Sequence, residues 1–203
     1  MRHNGGMFFN LPNALTWARI LLIPIVVGVF YLPPSILDPA SRNGIATAVF
    51  ILAAITDWLD GWLARRWGQT SAFGAFLDPV ADKLIVCVAL VMLVDHHRVD
   101  AIVAAIIVGR ELTISALREW MAQVGARASV AVHSIGKFKT VAQLVAIPML
   151  LYDGRLGGLF HTRPLGTWLI WVAAVLTVWS MLYYLRQAWP VLRDGGKHGD
   201  RQG

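Results

Sequence analysis

The chain has 203 residues, 57% of them hydrophobic and only 15% charged, with nine Trp and a mean hydropathy of +0.58. These proportions exclude an ordinary soluble domain and describe a membrane protein of one domain. The net charge of +6 is dispersed between apolar runs, which excludes a nucleic-acid patch and suits anionic lipid head groups, while the single cysteine, Cys87, leaves neither a disulfide framework nor a cysteine-based metal site.

In chain order, residues 1–16 form an N-terminal interfacial segment. From Met7 to Trp17, Phe8, Phe9, Leu11 and Trp17 alternate with Asn10, Asn13 and Thr16, a pattern that predicts a short amphipathic helix on the membrane surface. The basic start and the apolar stretch after it imitate a signal peptide, but no small-residue cleavage site follows. Six apolar segments then occupy 17–37, 43–66, 76–95, 99–120, 137–153 and 164–188. The sixth contains 22 residues without a charge, Pro164 to Leu185, enough for a hydrocarbon core of about 30 Å. The expected fold is therefore an all-α membrane protein, a bundle of six transmembrane helices over residues 17–188 preceded by the interfacial helix. Residues 189–203, ending in the glycine-rich "RDGGKHGDRQG", read as a disordered tail.

Most Lys and Arg residues fall at the N-terminus, after the second segment, between the fourth and fifth, and in the tail. The opposite side holds Arg42, Arg98, Arg155 and Arg163. By the positive-inside bias the protein is multi-pass in the cell (inner) membrane with both termini cytoplasmic. The second, third and fourth segments cross a bilayer only if they include Asp57, Asp60, Asp82, Lys83, Arg110 and Glu111, and ionisable residues inside spans mark functional cavities.

The stretch "TDWLDGWLARRWGQTSAFGAFLDPVAD" concentrates that signal. Helical spacing puts Asp57, Asp60, Gly61 and Ala64 on one stripe and Gly74, Asp78 and Asp82 on another. Two helices joined by a short link are antiparallel neighbours, so the four carboxylates are expected to meet at the cytoplasmic face. Together they would repel, and one or two divalent cations relieve this. All-oxygen ligation favours Mg²⁺, Mn²⁺ or Ca²⁺, and Mg²⁺ with carboxylates implies a phosphate-bearing substrate. Gly61 and Ala64 allow close approach to the backbone, and Arg65 offers a planar fork to a phosphate oxygen.

The pattern D-x-x-D-G-x-x-A-R-x8-G-x-x-x-D-x-x-x-D is met at Asp57, Asp60, Gly61, Ala64, Arg65, Gly74, Asp78 and Asp82, and it resembles the signature of the CDP-alcohol phosphatidyltransferase family. "FNLPNALTWARILLIP", "FGAFLDPVADKL" and "GRELTISALREWMAQVGARASVAVHSIGKFKT" resemble its bacterial phosphatidylglycerophosphate synthase branch, so the likeness covers about residues 8–186. It implies transfer of a phosphatidyl group from CDP-diacylglycerol to sn-glycerol 3-phosphate with release of CMP. It also implies six transmembrane helices, a homodimer and a cavity open to the cytoplasm. Carried over, Asp57, Asp60, Asp78 and Asp82 hold two divalent cations, Mg²⁺ or Mn²⁺, and Asp82 is the general base. Gly61, Ala64 and Arg65 touch the cytidine diphosphate, with Asp57 and Gly74 beside them.

The acceptor is read elsewhere. Arg110, Arg118, Lys137 and Lys139 come from neighbouring segments and form the expected trap for a dianionic phosphate. Glu111 is expected to pair with a neighbouring helix. Asn13, Thr16 and Arg19, at i, i+3 and i+6, are further candidates facing the nucleotide. Trp58, Trp62 and Trp67 fit an interfacial aromatic belt. The competing readings are a sibling enzyme with serine, inositol phosphate or phosphatidylglycerol as acceptor, a membrane prenyltransferase with differently spaced aspartates, and a divalent-cation transporter, whose acidic residues would lie near the midplane.

Overall fold

The structure, a computed structural model, describes residues 11–67, 72–123 and 134–199. They form six α-helices: α1 Leu11–Tyr31, α2 Pro39–Trp67, α3 Ala72–Asp95, α4 Ala101–Gln123, α5 Ser134–Tyr152 and α6 Thr162–Gly199. Each expected apolar segment lies on one of them. Three contain stretches long and apolar enough to cross a membrane, Ala14–Tyr31, Pro39–Asp60 and Thr162–Arg186, and α5 has a shorter one, Phe138–Tyr152. Side chains such as Ile55, Val91 and Trp179 stand on the outside of the fold, as lipid contact requires.

Local chemistry sets the helix ends. Asp38 caps α2, its Oδ2 accepting the Ser41 N–H at 3.0 Å, with Pro39 in the first helical position. The Ser41 hydroxyl, followed by that backbone N–H, holds the Asp38 carboxyl below its usual range. Asp100 caps α4 through Ile102, at 2.8 Å. The first apolar segment was expected to reach residue 37, but α1 stops at Tyr31 because Pro33 and Pro34 cannot continue it. Residues 1–10 of the expected interfacial segment lie outside the described residues, and from Leu11 the chain is already α1, with no break before the span.

Two features depart from the sequence reading. A small antiparallel hairpin, β1 (Arg155–Leu156) with β2 (Phe160–His161), separates α5 from α6. Gly157 and Gly158 turn it with φ of 59° and 75°, values that a side chain resists. The tail expected to be disordered from residue 189 continues α6 to Gly199, since extending a formed helix costs far less than nucleating one.

The chain divides into two compact units. One comprises residues up to Val99 with Ala146–Thr167, the other Asp100–Val145 with Trp168 onward. The first is knotted by Arg98, which follows α3. Its Nη1 donates to the carbonyls of Leu150 (3.2 Å) and Leu151 (2.7 Å) at the end of α5, and its Nη2 to Asn43 Oδ1 on α2 (2.8 Å). Asp153 faces its Nε at 3.3 Å, and Arg163 joins Asp153 to the His97 carbonyl. Burial pulls the Arg98 guanidinium below its ordinary value, with Asp153 opposing. Below this knot lies the core of Val26, Phe50, Leu90, Leu93, Leu150 and Leu151. Gly166 lets α6 press on α5, because a Cβ there would come within 2.9 Å of Leu150 Cγ.

Candidate active site

In the first unit, α1 is the principal neighbour of both α2 and α3, and it presents polar side chains to the motif carboxylates. Thr16 and Arg19 are one turn apart and both completely buried. The Arg19 guanidinium lies between the two aspartates of α2: its Nη1 is 2.9 Å from Asp57 Oδ1, and its Nη2 donates to Asp60 Oδ2. Thr16 donates its hydroxyl to Asp78 Oδ1 on α3. Asp60 is 4% exposed and Asp57 41%, so the pair spans the boundary between interior and solvent. Asp82, one turn beyond Asp78, is exposed, and Lys83 turns back to the Pro79 carbonyl at 2.9 Å.

Three of the four motif carboxylates are thus met from α1, Asp57 and Asp60 by Arg19 and Asp78 by Thr16. Among the described residues, no three acidic, His or Cys side chains are grouped to hold a metal ion. Arg19 supplies the positive charge that Asp57 and Asp60 require, because a buried carboxylate without a counter-charge is strongly unfavourable. The donors are all oxygen, the set that hard divalent cations prefer, so the chemistry of the site fits Mg²⁺ or Mn²⁺. Gly61, Ala64 and Arg65 on α2, Gly74 on α3 and Asn13 on α1 have surroundings that lie outside the described residues.

The second unit holds a buried polar cluster. Arg110 on α4 is 7% exposed, and Lys139 on α5 is 3% exposed. Arg110 Nη1 lies 3.3 Å from Glu111 Oε1, and Lys139 donates to the same oxygen, so Glu111 does reach a neighbouring helix. From α6, Ser180 Oγ accepts from Arg110 Nη2 at 3.1 Å, and the Tyr184 ring lies 5.8 Å from the guanidinium carbon. Arg118 and Lys137, the other two expected acceptor cations, have side chains outside the described residues. A cavity of about 840 Å³ in this unit, lined by Trp171, Val175, Trp179 and Leu182 with Arg186 as its one charged member, is too apolar for phosphate chemistry.

A family model described as CDP-alcohol phosphatidyltransferase matches residues 9–179. The chain belongs to that family. As a CDP-alcohol phosphatidyltransferase it is a membrane-associated enzyme, and its family match takes in the motif carboxylates together with Arg110, Glu111 and Lys139, and ends just before Ser180. It is 50% identical over 184 residues to a Salmonella choleraesuis protein named CDP-diacylglycerol--glycerol-3-phosphate 3-phosphatidyltransferase, covering 90% of this chain and 96% of that one. An Escherichia coli protein of the same name is 50% identical over 190 residues, covering 93% of this chain and all of its own.

Thr16 and Arg19, further candidates in the sequence of this phosphatidyltransferase, both reach the motif carboxylates. Sequence reasoning missed Ser180 and Tyr184 altogether. Thr177, Ser180 and Tyr184, at i, i+3 and i+7, form a polar stripe in an otherwise apolar span, a signal that was available.

Proposed function

We infer that this phosphatidyltransferase moves the phosphatidyl group of CDP-diacylglycerol to a hydroxyl of sn-glycerol 3-phosphate, giving phosphatidylglycerophosphate and CMP. The observation that carries the acceptor choice is the buried Arg110 and Lys139 pair, a trap suited to a phosphate-bearing alcohol, in a chain half identical to relatives named for this transfer.

In this reading Asp57, Asp60, Asp78 and Asp82 hold two divalent cations, Mg²⁺ or Mn²⁺. Bound there, the metals would neutralise the pyrophosphate and the charge on the departing CMP. Asp57, Gly61, Ala64, Arg65 and Gly74 position the cytidine diphosphate. Thr16 and Arg19 fix the carboxylates from α1, and Arg19 keeps Asp57 and Asp60 compensated before substrate arrives. The acceptor oxygen forms a bond to the phosphatidyl phosphorus, its proton passes to Asp82, and the phosphorus–oxygen bond to CMP breaks. Carboxylates are weak bases near neutral pH, so positioning and electrostatics supply most of the acceleration. Arg110, Arg118, Lys137 and Lys139 receive the acceptor phosphate. The enzyme works as a homodimer in the inner membrane, with its termini and active site cytoplasmic.

Acceptor competition tests this. Purified enzyme is incubated with CDP-diacylglycerol, magnesium and each of glycerol 3-phosphate, serine, inositol phosphate and phosphatidylglycerol, and CMP is measured. Release with glycerol 3-phosphate is expected, whereas release with serine alone would refute the choice.

A further inference from the structure

Arg110 and Lys139 come from different helices and converge on one atom, Glu111 Oε1. The rest of the guanidinium is fixed from α6, by Ser180 at Nη2 and by the ring of Tyr184. Two buried cations on one carboxylate are more than helix pairing requires. Each buried charge carries a desolvation penalty, and an apolar contact of similar volume joins helices at least as well. Two cationic side chains brought to one point form the kind of grip that the oxygens of a single phosphate group accept. A second observation points the same way: Thr177 Oγ1, one turn before Ser180 on α6, is completely buried without a hydrogen-bond partner, and orphaned hydroxyls of that kind mark a place for a water or ligand oxygen.

We propose that Glu111 is the positioning residue of the acceptor pocket, its carboxylate holding Arg110 and Lys139 at the spacing at which both grip one phosphate group. This rests on the reading of Arg110 and Lys139 as acceptor-phosphate ligands. Without the carboxylate the two cations repel and separate, and the convergence that a phosphate needs is lost. The resting ion pairs also keep the pocket compensated when no acceptor is bound.

The test uses the full-length enzyme in mixed micelles, with rates of CMP release measured against glycerol 3-phosphate at saturating CDP-diacylglycerol and the reverse. Glu111→Gln should raise the KM for glycerol 3-phosphate by about tenfold or more and weaken competitive inhibition by inorganic phosphate in parallel. The KM for CDP-diacylglycerol should stay within about twofold, because the carboxylate acts on the acceptor site alone. Glu111→Asp should give a smaller rise of the same selectivity, and it decides the matter if the Gln variant does not fold. A KM for glycerol 3-phosphate that is unchanged or lowered, or equal losses for both substrates, would overturn the proposal. A wild-type enzyme that releases no CMP with glycerol 3-phosphate overturns the functional reading itself, whereas a wild type that turns over beside an unaffected variant overturns only the role of Glu111.

Discussion

Arg19 on α1 and Asp60 on α2 form a buried ion pair in which the guanidinium is wholly enclosed and the carboxylate nearly so. Breaking it by Arg19→Ala leaves Asp60 without a counter-charge, a change that costs about 3–5 kcal/mol for a buried pair. Thermal unfolding in detergent should show that loss most clearly in chelator. Added Mg²⁺ should then restore more stability to the variant than to the wild type, since the metal meets the charge demand that Arg19 meets in the resting chain. A variant as stable as the wild type in chelator would show that the pair contributes nothing to the fold.

Asp82→Asn should lower kcat by roughly 10²- to 10⁴-fold, the usual contribution of a positioned general base. Binding of CDP-diacylglycerol, followed by equilibrium titration, should change much less. Poor binding with normal turnover would rule out the base assignment.

Chelation should abolish CMP release, and Mg²⁺ or Mn²⁺ should restore it. Asp57→Asn, Asp60→Asn and Asp78→Asn should each raise the metal concentration needed for half-maximal activity. Full activity in excess chelator would remove the metals from the mechanism.

Arg98→Ala frees the carbonyls of Leu150 and Leu151, strips the Asn43 side chain of its partner and leaves Asp153 with Arg163 alone. A loss of about 2–4 kcal/mol in unfolding stability is expected. Both KM values should be unaltered at temperatures where the variant stays folded. A change confined to KM would indicate a substrate role that the geometry does not contain.

The helices and the motif were legible because hydrophobic runs and fixed spacings are local properties of a chain. Asp57, Asp60, Asp78 and Asp82 announce themselves by periodicity alone. What occupies the space beside them was not legible, because Arg19 lies 41 residues from Asp60 and Thr16 lies 62 from Asp78. A basic residue near an apolar segment reads equally well as a topology signal, and Arg19, Lys139 and Arg98 all stand beside such segments. Burial separates the three, and burial is a tertiary property. The hairpin at Arg155–His161 escaped for the opposite reason: two glycines in a loop fit many turns, and four paired residues carry too little pattern to choose one.

The Arg98 knot also has a mechanical meaning. It grips α2 at Asn43, fourteen positions before Asp57, which at 1.5 Å per residue is about 21 Å along the helix. A rod clamped at one end moves most at the other, so a tilt of about 5° at the clamp carries Asp57 by roughly 2 Å while the core around Phe50 moves by about half as much. Arg19 meets α2 at that longer arm, through Asp57 and Asp60, so the two grips at opposite ends of the helix together set the position of the end proposed to receive nucleotide and metal.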